Sequence, residues 1–82
     1  MYTVYSKPDC PQCDAAKALL TFNGHPYREV ILDVGQAKLD ESTYISREDL
    51  LQQIPTARTM PQIYEGIKLV GGLIDLKRHL IT

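Results

Sequence analysis

Cys10-Pro11-Gln12-Cys13 holds both cysteines of this 82-residue chain. Tyr2-Thr3-Val4-Tyr5 before it is rich in strand formers, and a helical pattern from Asp14 to Phe22 follows it. One thiol therefore falls at a strand-to-helix turn and the other in the helix's first turn. Unpaired amides and the positive end of the helix macrodipole face that spot. They favour a thiolate on Cys10 and lower its pKa from about 8.5 toward the range of roughly 3.5 to 7.5 found in such motifs. Cys13 is placed to attack a mixed disulfide formed on Cys10. The stretch reads as a thiol–disulfide exchange site.

Two other readings compete for the same four residues. A structural disulfide is one, although a bridge across so short a loop restricts the unfolded chain little. Half of a zinc site is the other. Zinc needs two more ligands, and the nitrogen candidates are His25 and His79, far apart and without H-x-x-x-H spacing. Pro11 suits the first helical position and supports the redox reading.

Composition sets the frame. Hydrophobic residues make up 44% and charged residues 23%, which predicts an ordered globular domain over 1–82. A net charge of −1 offers no electrostatic case for nucleic acid or an anionic membrane. The N-terminal residues show no signal-peptide pattern, and no stretch approaches the ~20 apolar residues of a spanning helix. Paired cysteines without an export signal fit a reducing cytoplasm, where such pairs are more often catalytic than structural.

Along the chain, Tyr2 to Ser6 reads as a strand and Lys7-Pro8-Asp9 as a turn. A helix follows from about Pro11 to Phe22, with Ala16, Leu19 and Leu20 facing inward and Asn23-Gly24 as its stop. Tyr27 to Leu32 is a second strand, parallel to the first through a right-handed βαβ unit. Asp33 to Ile45 reads as a solvated connection, with an irregular helical turn around Ala37 to Asp40 as the alternative. Ser46-Arg47-Glu48-Asp49 resembles a capping box for a helix burying Leu50, Leu51 and Ile54 and stopped by Pro55. Gln62 to Tyr64 and Ile67 to Val70 form a hairpin around Glu65-Gly66. After Gly71-Gly72 a last helix, Leu73 to Ile81, buries Leu73, Leu76 and Leu80. The expected order is βαβ-α-ββα: an α/β fold with a four-stranded mixed sheet and about three helices. No internal repeat or domain boundary is visible.

This order, with Cys-x-x-Cys after the first strand and Thr59-Met60-Pro61 before the third, resembles the thioredoxin fold. Within that fold the chain resembles the glutaredoxins, including small bacteriophage-encoded ones. Lys7, Cys10-Pro11-x-Cys13, Thr59-x-Pro61 and Gly71-Gly72 followed by Asp75-Leu76 carry the likeness. It implies Cys10 as nucleophile, Cys13 as resolving thiol, and a redox-active Cys10–Cys13 disulfide. Glutathione would be the reducing co-substrate, with no bound cofactor and no metal. The implied glutathione contacts are Lys7, Gln12, Thr59, Met60, Pro61, Gly72, Leu73, Ile74 and Asp75. Pro61 would be cis and lie beside Cys10, leaving the Met60 backbone to pair with an extended ligand. The Leu73 and Ile74 amides would take a carboxylate. Implied partners are disulfide-containing proteins, ribonucleotide reductase among them, and the chain would act as a cytoplasmic monomer.

Several residues keep a plainer reading beside the functional one. Lys7 is otherwise a solvated lysine, Pro61 a turn proline, Gly71-Gly72 a turn after a strand, and Tyr5 a core aromatic. Arg47, Gln52, Gln53 and Arg58 are each candidates for the glycine carboxylate of glutathione or ordinary surface residues. His25 and His79 read as surface groups. Two departures from the glutaredoxin pattern stand out. Gln12 replaces the common tyrosine and resembles NrdH-type redoxins, which thioredoxin reductase reduces. Ile74 stands where aspartate or serine commonly helps hold the γ-glutamyl end of glutathione. A non-catalytic binding module on the same scaffold is the remaining alternative.

Overall fold

The alternation in Tyr2-Thr3-Val4-Tyr5-Ser6 puts Tyr2, Val4 and Ser6 in the interior, with Thr3 and Tyr5 half-buried on the opposite face. In the computed structural model, which describes residues 1–36 and 43–81, this segment is the central strand, β1 (Tyr2–Ser6). After it come α1 (Pro11–Phe22), β2 (Tyr27–Leu32), β3 (Tyr44–Ile45) and α2 (Arg47–Gln53). Then follow β4 (Gln62–Glu65), β5 (Lys68–Gly71) and α3 (Leu73–Ile81). The sheet runs β3-β2-β1-β4-β5. β1 pairs parallel with β2, as the βαβ reading predicts, and antiparallel with β4; β5 returns antiparallel to β4.

The sheet has five strands where four were expected. Tyr44-Ile45 lies parallel to Ile31-Leu32 at the β2 edge, and the Asp33 amide donates to the Ile45 carbonyl at 2.8 Å. Two residues are too few to show an alternating pattern, so the free edge of β2 makes this strand rather than local propensity. The expected turn at Ala37 to Asp40 lies outside the described residues.

Side-chain alternation divides the core between the two sheet faces. Val4, Tyr2 and Ile63 pack with Ala16 and Leu20 of α1 and Leu76 of α3 on one face. On the other, Leu32 packs with Leu50 of α2, Ile54, Met60 and both cysteines, with Tyr5, Ile45 and Tyr64 at its edge. Ser46 caps α2 as expected, its hydroxyl accepting from the Asp49 amide at 3.1 Å. Leu51, expected inside, is 42% exposed. With only 7 residues, α2 turns a single narrow stripe inward; Leu50 takes it, and Ile54, just past the helix end, packs into the same cluster. Ile67 sits at the hairpin turn rather than in β5 and is fully exposed. Among the described residues no helix is long and apolar enough to cross a membrane.

Candidate active site

β1 ends at Ser6, and the chain turns through Lys7-Pro8-Asp9 before α1 begins at Pro11. Asp9 takes a positive φ of 53°, a conformation aspartate tolerates better than most residues. Cys10 is then the N-cap of α1, with extended backbone at φ −123° and ψ 96°. Its Sγ accepts the Cys13 amide at 3.1 Å, so the sulfur itself satisfies one of the amides that a helix start leaves unpaired. The two cysteines are joined as a disulfide, with Cα atoms 5.2 Å apart. Both are buried, Cys13 at 1% exposure and Cys10 at 5%.

The Met60–Pro61 peptide bond is cis, and the Met60 carbonyl oxygen lies 3.9 Å from Cys10 Sγ. The segment before β4 thus comes up against the cysteine loop from the other side of the sheet order, 50 residues further along the chain.

Two hollows share Thr59 and Met60, the residue whose carbonyl faces Cys10 Sγ. The smaller, about 110 Å³, is lined by Lys7, Arg47 and Arg58 above an apolar floor of Leu32, Leu50 and Leu51. The larger, about 350 Å³, is lined by Gln12, Pro61, Gln62 and the start of α3 from Gly71 to Asp75. All nine residues named from the sequence as glutathione contacts therefore border one hollow or the other. Of the four further candidates, Arg47 and Arg58 join Lys7, which makes that hollow cationic, with no carboxylate in its lining among the described residues. Gln53 is engaged elsewhere, its Oε1 accepting from the Tyr5 hydroxyl at 2.9 Å. Tyr5 packs edge-on to Tyr64 at 5.9 Å, so it belongs with the core side chains rather than the site rim.

The start of α3 has a specific construction. The Asp75 carboxylate accepts the Gly72 amide at 3.1 Å. Gly71 has φ 123°, and a Cβ built there would fall 2.8 Å from Asp75 Cγ, so only glycine allows this close approach. Ile74 points away from the core and is 65% exposed.

Both histidines lie at the opposite end of β1, against Tyr2: His25 at 5.2 Å and His79 at 6.2 Å between ring centroids. His79 also pairs with Glu65 at 2.8 Å. Neither ring is placed to join the cysteines. One group near the site is not evident from the sequence: Glu29, bonded to Ser6 and Lys17 on the α1 side of the sheet. Spacing places Lys17 on the Cys13 side of α1 but carries no signal for Glu29, its partner on β2.

A disulfide-bonded Cys-x-x-Cys at the start of a helix, at the end of a central strand and beside the Met60 carbonyl, is the arrangement of a thioredoxin-fold thiol–disulfide oxidoreductase. Comparison with known proteins resolves the class further. The glutaredoxin family model matches residues 2–70, and the chain belongs to the glutaredoxin family. Glutaredoxin 3 of Escherichia coli is 34% identical over 89% of this chain and 77% of its own length. The crystal structure of a buckwheat glutaredoxin–glutathione complex is similar at a TM-score of 0.69 and 28% identity, covering 98% of this chain and 68% of that one. Glutaredoxin 1 of Francisella tularensis, complexed with cacodylate, shares the fold at a TM-score of 0.72 and 23% identity, covering 98% and 91%.

Proposed function

We propose that this chain is a glutathione-dependent dithiol glutaredoxin that reduces protein disulfides and glutathione mixed disulfides in the cytoplasm. The observation that carries the reading is the pair of hollows meeting at Thr59 and Met60 beside Cys10. An extended tripeptide thiol fits this layout: its cysteine at Cys10, its backbone along Met60, one end toward Lys7, Arg47 and Arg58. Its other end reaches the Leu73 and Ile74 amides at the start of α3. The similar buckwheat protein is a complex with glutathione, which supports the assignment.

In the reaction, the Cys10 thiolate attacks a disulfide sulfur of the substrate, and one substrate thiolate leaves. Cys13, as a thiolate, then attacks Cys10 Sγ; the second substrate thiolate departs and takes up a proton. The protein is left as the Cys10–Cys13 disulfide, and two glutathione molecules reduce it, becoming oxidised glutathione. A ribonucleotide reductase is one recipient consistent with this chemistry, and no bound cofactor or metal takes part.

A second reading has its own support. Ile74 gives the γ-glutamyl ammonium no side-chain acceptor, and the Asp75 carboxylate already accepts the Gly72 amide. Together with Gln12 this favours a redoxin served by thioredoxin reductase. The deciding experiment supplies oxidised protein with NADPH and either glutathione plus glutathione reductase or thioredoxin reductase. Rapid reduction in the first system only is expected. Reduction in the second only would replace the proposal with the redoxin reading.

A further inference from the structure

Away from both hollows, one polar cluster lies between α1 and the sheet. Glu29 on β2 accepts two hydrogen bonds on a single carboxylate oxygen, Oε2: from Ser6 Oγ at 2.7 Å and from Lys17 Nζ at 2.7 Å. Lys17 also approaches Asp14 Oδ1 at 3.5 Å. Ser6 is buried at 2% exposure, and the Lys17 and Glu29 side chains retain 23% and 28%.

The two donors occupy telling places in the chain. Ser6 is the last residue of β1, directly before the turn that leads to Cys10. Lys17 stands one helical turn beyond Cys13, on the same side of α1. The segment between the donors carries both cysteines. A single oxygen on β2 therefore ties down both ends of the cysteine loop.

Such a cluster has two conceivable uses, as a proton acceptor for Cys13 or as a fixed clamp. Burial would raise the Glu29 pKa, but hydrogen bonds from Lys17 and Ser6 and the Lys17 charge outweigh it and hold the carboxyl below its ordinary value. Burial would lower Lys17, but Glu29 and then Asp14 hold the ammonium above its ordinary value. Lys17 stays a full ammonium with no site for another proton, and a carboxylate held below its ordinary value is too weak a base to keep a proton taken from a thiol of ordinary pKa about 8.5, so the clamp is the use that the cluster suits.

We propose that Glu29 is a positioning residue, its carboxylate clamping Ser6 and Lys17 so that Cys13 is held within reach of a mixed disulfide on Cys10. The step it serves forms the Cys13–Cys10 bond, breaks the Cys10–substrate sulfur bond, and releases the substrate thiolate, which takes up a proton. Geometry governs such a step strongly, since a displacement of about 1 Å can cost on the order of 100-fold. The proposal rests on the reading of Cys10 as nucleophile and Cys13 as resolving thiol.

The test equilibrates the protein with 2-mercaptoethanol and its disulfide, quenches by alkylation, and reads dithiol, mixed-disulfide and internal-disulfide fractions by mass. Mercaptoethanol is small and uncharged, so glutathione recognition does not enter. Glu29→Gln keeps the size and an acceptor oxygen but drops the charge. It is expected to lower the ratio of internal to mixed disulfide about tenfold at fixed mercaptoethanol. Lys17→Met should do the same and Lys17→Arg should restore the ratio. An unchanged ratio in folded Glu29→Gln, even with a lowered Tm, would make the cluster a structural tie and overturn the proposal. If Glu29→Gln does not fold, Lys17→Met against Lys17→Arg decides the same question, and equal ratios in those two overturn it. Peptide mapping of which cysteine carries mercaptoethanol separates an error in the cysteine roles from a failure of the clamp.

Discussion

Cys10 and Cys13 share one disulfide but not one environment. Both are buried, but it is Cys10 Sγ that receives the amide hydrogen bond at the helix start, which favours a thiolate there. Cys10→Ser is therefore expected to abolish all exchange, whereas Cys13→Ser should keep the reduction of glutathione mixed disulfides and lose that of protein disulfides. Paired assays on the two substrates check this, and substantial activity in Cys10→Ser would reverse the roles. Ile74 is the second residue to probe. A hydrogen bond to a charged group contributes about 1.5–3 kcal/mol, roughly a ten- to hundredfold change in binding. Ile74→Asp should accordingly lower the KM for glutathione by about that factor at similar kcat. An unchanged KM would mean that another acceptor, Asp75 or a residue elsewhere, already holds the γ-glutamyl ammonium.

At the scale of elements, α2 carries a local cap and α1 a charge pair to β2. Removing the Ser46 hydroxyl leaves the Asp49 amide without its cap, so Ser46→Ala should cost about 1 kcal/mol. For a domain of this size that corresponds to a Tm lower by roughly 4–8 °C, and Ser46→Asp should recover most of it. The α1–β2 tie has a pH signature. A Glu29 carboxyl held below its ordinary 4.5 contributes stability that is complete above that pH and is lost as pH falls through its folded value. A Lys17 ammonium held above its ordinary 10.5 contributes below that pH and loses the contribution as pH rises further. Denaturant titrations of the parent and Glu29→Gln should thus show a stability gap that is flat between these limits and narrows below pH 4.5. A gap independent of pH down to acid would show that the charge contributes nothing.

Across the whole molecule, the sheet and three helices hold the two hollows together from both sides. Leu76 is fully buried where α3 meets α1 and the sheet, so Leu76→Ala should cost about 2–5 kcal/mol and lower Tm by ~10 °C or more. Ile67→Ser, at a fully exposed turn, should stay within about 0.5 kcal/mol of the parent. The same contrast marks what the sequence could reveal. Cys10-Pro11-Gln12-Cys13, the helix over 11–22, the Ser46 cap and the Glu65-Gly66 hairpin all depend on near neighbours in the chain, and periodicity, capping and turn chemistry report such neighbours directly. Likeness to a family placed Thr59 to Pro61 and Gly72 to Asp75 by the cysteines, and folding brings them there. β3 was not legible, because Tyr44-Ile45 is a strand only by virtue of the β2 edge beside it. Leu51 could not be placed correctly, because the helix register, not its hydrophobicity, decides which leucine faces the core. The choice of Arg47 and Arg58 over Gln53 as neighbours of Lys7 belongs to the tertiary structure as well. So does the meeting of Ser6, Lys17 and Glu29 on one oxygen, since nothing in local spacing tells which strand a helix's lysine will reach.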